Sequence, residues 1–141
     1  RTRKEMSKVP AHWELGSEIL TLCRQVNPEV RILGNGDIQD LNAAQAKVKE
    51  IGMDGVMLGR AVFGNPWLFT ERSLESIGKE EKIRALLELA SEFAALTPPK
   101  HFAILKKHVK AFISGWDGAG ELRASLMQAD DLPSFRRAAG V

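Results

Sequence analysis

Two glycine-containing turns are the part of this sequence best suited to bind a ligand. The first turn, Gly34 to Ile38, follows the apolar run Val30 to Leu33, and the second, Gly59-Arg60, follows Gly55 to Leu58. A phosphate needs several donors that converge at short range, and backbone N–H groups supply them where no side chain blocks the approach. The paired turns therefore predict a site for a flavin or another phosphorylated ligand.

The neighbours of these glycines favour that interpretation over an ordinary structural one. A single glycine after a strand is more often an ordinary tight turn. Here the turns are paired, with Asn35 and Asp37 in the first and Arg60 in the second. Gly34, Gly36 and Gly59 would leave the backbone accessible to the phosphate.

The segments around the turns alternate between strand and helix. Val30 to Leu33 and Gly55 to Leu58 predict strands, and between them Asp40 and Gly52 are suited to cap a helix. This order predicts a βαβ unit with parallel strands. In (β/α)8 barrels the loops after the seventh and eighth strands commonly bind phosphate, yet such a barrel needs roughly 200 residues at the least. The chain has 141, so it can hold only part of one.

The remaining segments are predicted to be helical. One helix precedes the first strand and carries Ile19, Leu22, Cys23 and Val26 on one face. From Glu80 onward the period is helical throughout. We therefore expect an α/β part at residues 1–74 and an all-helical domain at residues 75–141.

Composition limits the remaining function classes. The net charge of +2 does not by itself require a nucleic acid partner, and no apolar run is long enough to span a bilayer. With one cysteine, we expect no internal disulfide and a cytoplasmic protein. His12 and His101 have no second ligand at metal spacing, so we expect no metal site. Trp13, Trp67 and Phe69 are interpreted as packing residues.

Three motifs in this order resemble the carboxy-terminal part of the tRNA-dihydrouridine synthase family. They are Ile32-Leu33-Gly34-Asn35-Gly36-Asp37-Ile38, Gly52-Met53-Asp54-Gly55-Val56-Met57-Leu58-Gly59-Arg60-Ala61 and Gly64-Asn65-Pro66-Trp67-Leu68-Phe69. Arg1-Thr2-Arg3 with Ala11-His12-Trp13 resembles the segment before that family's seventh strand. Lys107-His108, Gly115 and Glu121-Leu122-Arg123 resemble its helical domain. The similarity extends over nearly the whole chain.

The resemblance implies the end of an FMN-binding TIM barrel, containing strands 7 and 8, followed by a helical tRNA-binding domain. It implies reduction of the C5–C6 double bond of uridine in tRNA, with NADPH as reductant through FMN. The residues it places on the FMN phosphate are Asn35, Gly36, Asp37, Gly59 and Arg60.

The family's catalytic cysteine and two further flavin contacts lie on earlier barrel segments that have no counterpart in this chain. Cys23 is not a convincing substitute, because its apolar helical face predicts an inert core thiol. We therefore expect no catalytic residue in this chain and no activity from it alone. The expected partners are tRNA and the amino-terminal barrel segments of the same protein.

Lysines cluster in the helical part. Four lysines and two histidines, with no acidic residue, lie between Pro98 and Trp116. A solvated helix face is the ordinary interpretation of such a cluster, but with the resemblance contact with tRNA phosphates is favoured. The candidates are Lys106, Lys107, His108, Lys110 and Arg123.

Two alternatives remain open. The chain could be a non-catalytic helical RNA-binding module that keeps a relict βαβ unit, or part of another FMN-dependent barrel such as a dihydroorotate dehydrogenase. Flavin binding separates the first alternative from an enzyme. The basic helical part disfavours the second, since an enzyme for small molecules has no evident need of it.

Overall fold

The computed structural model describes residues 2, 4–5, 8–70 and 72–141 of the chain. Arg1 and Arg3, which belong to the family resemblance, lie outside the described residues. The chain divides into two compact units, Arg1–Val62 and Phe63–Val141.

The first unit contains the predicted βαβ arrangement. Its helices are α1 (Gly16–Val26) and α2 (Leu41–Ile51), its strands are β1 (Leu33–Asn35) and β2 (Gly55–Met57), and short 3-10 turns lie at Trp13–Leu15 and Arg60–Val62. The two strands pair in parallel, with Leu33 opposite Gly55 and Asn35 opposite Met57. The parallel pairing confirms the prediction, although two strands do not by themselves establish a barrel.

Helix α2 begins and ends at the predicted residues. The Asp40 carboxylate accepts a hydrogen bond of 2.7 Å from the backbone N–H of Ala43, which caps the amino end. Gly52 follows with φ +81°, in the left-handed region that glycine occupies without steric cost. These local rules determine where the crossover helix stops and where β2 can start.

Strand β1 starts later than the sequence predicts. Leu33 is the last residue of the predicted strand, but it is the first residue of β1. The reason is Asp54, whose carboxylate accepts a 2.9 Å hydrogen bond from the N–H of Ile32 and a 3.0 Å bond from Arg31. The Asp54 side chain thus takes the N–H of Ile32, while the Ile32 carbonyl still accepts a 3.0 Å bond from the backbone N–H of Asp54. The Ile32 N–H bond, followed by Arg31, lowers the pKa of Asp54.

The face of α1 that carries Cys23 is not the core of this chain, so that expectation was wrong. The exposed fractions of Ile19, Leu22 and Val26 are 46%, 54% and 89%. The helix instead buries Gly16 and Leu20. A Cβ on Gly16 would lie 2.8 Å from the Ile51 side chain, so α1 packs closely on α2 through its opposite side. Cys23 is half-buried in a shallow apolar groove.

The second unit is helical, as predicted. Its α-helices are α3 (Lys79–Ala94), α4 (Val109–Phe112), α5 (Ala119–Gln128) and α6 (Leu132–Ala139), with 3-10 segments at Leu74–Ser76 and Phe102–His108. The sequence pattern predicts one continuous helix from Phe102 to Ile113, and the first part is 3-10 instead. Its apolar residues Phe102 and Leu105 are three positions apart, which matches a helix with three residues per turn.

One apolar cluster holds the second unit together. Phe135, Leu86, Leu105, Ile113 and Leu126 are at most 1% exposed, and they come from every long element of the unit. The Phe102 ring packs edge-on against Phe135 at 5.6 Å between centroids. Burial of this kind stabilises a unit by about 1.5–3 kcal/mol for each large side chain before entropy is subtracted.

The compact units meet between Val62 and Phe63, whereas the sequence placed the boundary between residues 74 and 75. Phe63 belongs to the second unit because its ring packs edge-on against His108, with centroids 5.3 Å apart. Gly64 also lies directly against the backbone of Ala111. These contacts attach the segment after the second glycine turn to the helical unit.

Helices in the described ranges are too short or too polar to cross a bilayer. Among the same residues, no group of at least three His, Cys, Asp or Glu side chains is placed to hold a metal ion.

Candidate phosphate-binding site

A cleft of about 240 Å³ opens where the two strands of the first unit end. Because β1 and β2 are parallel neighbours, the turns that follow them lie side by side. The cleft is lined by Asn35, Gly36, Asp37, Ile38, Gln39, Gly59 and Arg60. The structure therefore brings together all five residues that the resemblance placed on a phosphate, with Ile38 and Gln39 in addition.

An ion pair joins the two turns. Arg60 Nη2 donates a hydrogen bond of 2.8 Å to Asp37 Oδ1, and the Arg60 side chain remains 64% exposed. Asp37 Oδ2 accepts a second bond, of 2.9 Å, from the backbone N–H of Ala11. Among its contacts with the described residues, the Asp37 carboxylate thus has the Arg60 cation and the Ala11 amide. It can orient Arg60 without presenting an uncompensated negative charge to an anion.

Several backbone donors on the cleft are available to a ligand. Within the described ranges, the N–H groups of Ile38, Gln39, Gly59 and Arg60 have no hydrogen-bond acceptor. A Cβ built on Gly59 would meet nothing within 4 Å, so the backbone there is open to an approaching group. Unpartnered N–H groups on residues that line a cleft beside a guanidinium suit an anion with several acceptor oxygens, such as a phosphate.

The Asn35 side chain forms a hydrogen bond between the two strands. Its Nδ2 donates to the Sδ of Met57 at 3.4 Å, across the ladder. This bond holds the Asn35 side chain at the end of the strands, on the rim of the cleft. Asn35 therefore helps to place the two turns as well as lining the site.

Trp13 packs as the sequence analysis expected, and it also forms a hydrogen bond with the first glycine turn, which the sequence analysis missed. Its indole Nε1 donates a hydrogen bond of 2.9 Å to the carbonyl of Gly36. Its six-membered ring lies against Gly34, where a Cβ would come within 2.5 Å of Cζ3. The buried glycine directly before the polar turn was the available signal, because a glycine there leaves room for a large side chain to cover the backbone.

The cleft fits one end of a ligand better than a whole one. Sites for drug-sized molecules commonly measure about 300–1,000 Å³, and this cleft has about 240 Å³. Its donors and its single cation match a phosphate, and apolar lining for a flavin ring is scarce among Asn35 to Gln39. The residues present therefore fit the phosphate end of FMN.

The predicted RNA-binding residues of the second unit fall into two groups. Lys107 and Lys110 are exposed, and neither forms an ion pair in the part of the chain that the structure describes. Lys106 is only 14% exposed and its Nζ lies 3.2 Å from Asp130 Oδ1. Arg123 Nη1 donates to the carbonyl of Ile113 at 3.0 Å. Lys106 and Arg123 thus have structural partners.

The surroundings of His108 disfavour its charged form. His108 is half-buried, its ring meets that of Phe63 edge-on, and Lys107 is its neighbour in sequence. Burial first, and the Lys107 charge second, lower the pKa of His108. His108 is therefore less readily protonated than an exposed histidine.

Comparisons with known proteins agree with the geometry. The family model for "Dihydrouridine synthase" matches residues 1–138. A "Probable tRNA-dihydrouridine synthase" of Staphylococcus epidermidis is 38% identical over 138 residues, which cover 96% of this chain and 42% of the relative. A protein of the same name from Staphylococcus aureus is 37% identical, and "Probable tRNA-dihydrouridine synthase 2" of Bacillus subtilis is 36% identical, each over the same shares. The chain thus spans less than half the length of these relatives.

Proposed function

This chain belongs to the dihydrouridine synthase family, and on that premise we propose that its first unit binds the phosphate of FMN in a tRNA-dihydrouridine synthase. The observation that carries the proposal is the cleft between the two strand ends, which is lined by Arg60 and by several described residues whose N–H groups have no acceptor. The relatives' names support tRNA as the substrate. The reaction would be reduction of the C5–C6 bond of uridine in tRNA, with NADPH as reductant, in the cytoplasm.

Three residues of the cleft would have distinct roles in phosphate binding. Gly59 and its neighbour Arg60 would donate backbone N–H groups to the phosphate oxygens, and the remaining N–H groups of the Arg60 guanidinium would add charge-assisted hydrogen bonds. Asp37 would hold that guanidinium in place through the 2.8 Å bond. When bound, FMN would supply the hydride chemistry that protein side chains lack.

No side chain of this chain is proposed as the proton donor of the reaction. Cys23, the single cysteine, lies on α1 in an apolar groove lined by Leu22, Val26, Asn27 and Val30. Cys23 is not among the residues that line the phosphate cleft. We therefore propose that the 141-residue chain by itself does not form dihydrouridine. Turnover by this chain alone with NADPH and unmodified tRNA would contradict the statement.

The second unit is proposed to contact tRNA through its exposed lysines. Lys107 and Lys110 extend into solvent on a segment with no acidic residue between Pro98 and Trp116. Lysines of this kind bind phosphates without regard to sequence. Target choice would then depend on the placement of the tRNA as a whole, since a base must leave its stack to be modified.

The test uses the complete gene product. Purified protein should show flavin absorbance or a rise in melting temperature on addition of FMN, and it should convert uridine to dihydrouridine in unmodified tRNA when NADPH is supplied. Binding of tRNA with no response to FMN would contradict the proposal and favour a non-catalytic RNA-binding module.

A further inference from the structure

We propose that Trp13 is a positioning residue that shapes the phosphate turn, and that through it the cleft discriminates FMN from riboflavin. The inference rests on the proposed function, since it concerns how the same cleft selects a phosphorylated flavin. It assigns a role to a side chain that does not itself line the cleft.

The contacts of Trp13 reach the turn from two sides. The 2.9 Å bond from Nε1 fixes the Gly36 carbonyl. The ring fixes Gly34, whose absent Cβ would lie 2.5 Å from Cζ3 and 2.6 Å from Cη2. Ala11, two positions before Trp13, adds a third contact with the turn. Its N–H donates a 2.9 Å hydrogen bond to Asp37 Oδ2. One short segment thus holds Gly34, Gly36 and Asp37 together.

The turn needs such support because its backbone is unusual. Gly36 has φ +148° and Asp37 has φ +55°, and Asp37 is the single non-glycine residue with positive φ in the described part of the chain. A non-glycine residue in this region costs about 1–3 kcal/mol and persists only where its surroundings impose it. The bonds from Ala11 and Arg60 to Asp37, together with the Trp13 contacts to Gly34 and Gly36, are among the surroundings that support the turn here.

The direction of the Gly36 carbonyl explains why phosphate is the group affected. A backbone carbonyl is an acceptor with two lone pairs, and one that points toward phosphate oxygens repels them. The indole N–H donates a hydrogen bond to this carbonyl and keeps it directed toward Trp13. Without the N–H the peptide would be free to rotate, which weakens phosphate binding and leaves the rest of the flavin unaffected.

A purely structural role for the indole is less consistent with its surroundings. Trp13 is half-buried, with Lys47 Nζ lying 6.0 Å from its ring centroid. A partly buried indole N–H takes an acceptor whatever the role of its ring, so the informative observation is which acceptor it has. Here the indole N–H is directed at a carbonyl of the first glycine turn, which lines the cleft.

The experiment compares the affinities of FMN and riboflavin for the complete gene product and for Trp13→Phe. Phenylalanine keeps an aromatic ring and removes the N–H. We expect FMN affinity to fall about threefold to tenfold, the fold-change that corresponds to one net hydrogen bond, while riboflavin affinity stays unchanged. Trp116→Phe, in the other compact unit, is the matched control and should alter neither affinity.

The outcomes separate the two claims. If wild-type protein binds no FMN, or binds FMN and riboflavin equally, the proposed phosphate site itself is wrong. If wild-type protein prefers FMN and Trp13→Phe keeps that preference, only the role of Trp13 is wrong. An equal decrease of both affinities in Trp13→Phe would show a general structural role and would also overturn the inference.

Discussion

The guanidinium of Arg60 and the carboxylate of Asp37 lie 2.8 Å apart and join the turns that follow β1 and β2. The two residues are 23 positions apart in the chain, and the parallel pairing of the strands brings them together. The pair is partly exposed, at 64% for Arg60 and 33% for Asp37, so its contribution to stability is small. In the proposed phosphate site, the pair would orient Arg60 before the ligand binds.

Removal of the Arg60 guanidinium should affect binding much more than folding. In Arg60→Ala we expect FMN affinity to fall at least tenfold, because a hydrogen bond to a charged group contributes about 1.5–3 kcal/mol. Without FMN, the free energy of unfolding should change by less than about 1 kcal/mol, as for other exposed ion pairs. FMN titration and urea denaturation measure the two effects. Arg31→Ala, which removes the partner of Asp54 outside the cleft, is the control and should leave FMN affinity intact.

Alanine at two glycines near the cleft should affect different properties, FMN affinity for Gly59 and stability for Gly34. Gly59→Ala adds a methyl group where nothing lies within 4 Å, so stability should be unchanged while the methyl obstructs the phosphate and lowers FMN affinity. Gly34→Ala places its methyl 2.5 Å from the Trp13 ring. We expect it to cost about 1–3 kcal/mol of unfolding free energy, the usual range for overpacking. Denaturant titration with and without FMN checks both; a Gly59→Ala protein with normal FMN affinity would mean that the phosphate lies elsewhere.

A side chain at Gly64 should destabilise the second unit, because it would collide with the backbone of Ala111. Gly64 has φ +73°, and a Cβ would overlap the carbonyl oxygen of Ala111 and lie 2.5 Å from its carbon. Gly115 is the matched control, since it has φ +91° and open space around it. Gly115→Ala should cost only the left-handed conformational penalty of about 1–2 kcal/mol. Gly64→Ala should cost more than that in a thermal or urea denaturation series, and equal costs would contradict the close contact.

The lysines should differ in their effect on tRNA binding. Lys107→Glu with Lys110→Glu should weaken binding and reduce the slope of log affinity against log salt by about 0.7–0.9 for each phosphate that is no longer neutralised. Lys106→Ala should have a smaller effect, because this lysine is 14% exposed and bound to Asp130. Filter binding across a salt series measures the slope. Lys49→Glu with Lys79→Glu introduces the same change of charge outside the cluster, and an equal decrease in that control would indicate net charge alone.

The stability of the second unit should fall in mild acid through His108. Its pKa is lowered in the folded state by burial and by Lys107, so the unfolded chain binds the proton more readily. The contribution of the neutral ring is present above about pH 6.5, the ordinary pKa of histidine, and is lost as pH falls through the lower folded value. Urea denaturation from pH 5 to 8 should show this slope in the wild type but not in His108→Gln.

A second variant tests the cause of the His108 shift. Lys107→Gln removes the neighbouring positive charge and should raise the pKa of His108 toward its ordinary value. The imidazole resonances in a proton NMR titration report this directly. A downward movement, or none, would show that the Lys107 charge does not contribute.

Local signals in the sequence predicted the elements that depend on near neighbours. Asp40 caps α2 through a residue three positions away, and Gly52 ends the helix through its own backbone conformation. The helical period predicted α3, α5 and α6. Strand β1 begins later than predicted because the Asp54 carboxylate, 22 residues from Ile32 in the chain, accepts the hydrogen bond of the Ile32 N–H. No local pattern contains that contact.

The burial of α1 also shows that a local sequence pattern does not predict long-range contacts. A helical stripe predicts that one face is apolar, but it does not state what covers that face. The stripe of Ile19, Leu22 and Val26 is exposed in this chain, and Gly16 and Leu20 carry the contact with α2. Which side of a helix is buried depends on the elements present around it.

The sequence by itself determined the βαβ order, the helical second part and the motifs that show the dihydrouridine synthase family. The resemblance also named five of the seven residues that line the cleft, and the two glycine turns predicted that they meet at one edge of the strand pair. Only the tertiary structure decided that Asp37 orients Arg60, that Trp13 holds Gly36, and that Lys106 is bound to Asp130. The physical reason is separation, because each of these bonds joins residues at least 23 positions apart, beyond the reach of any local pattern.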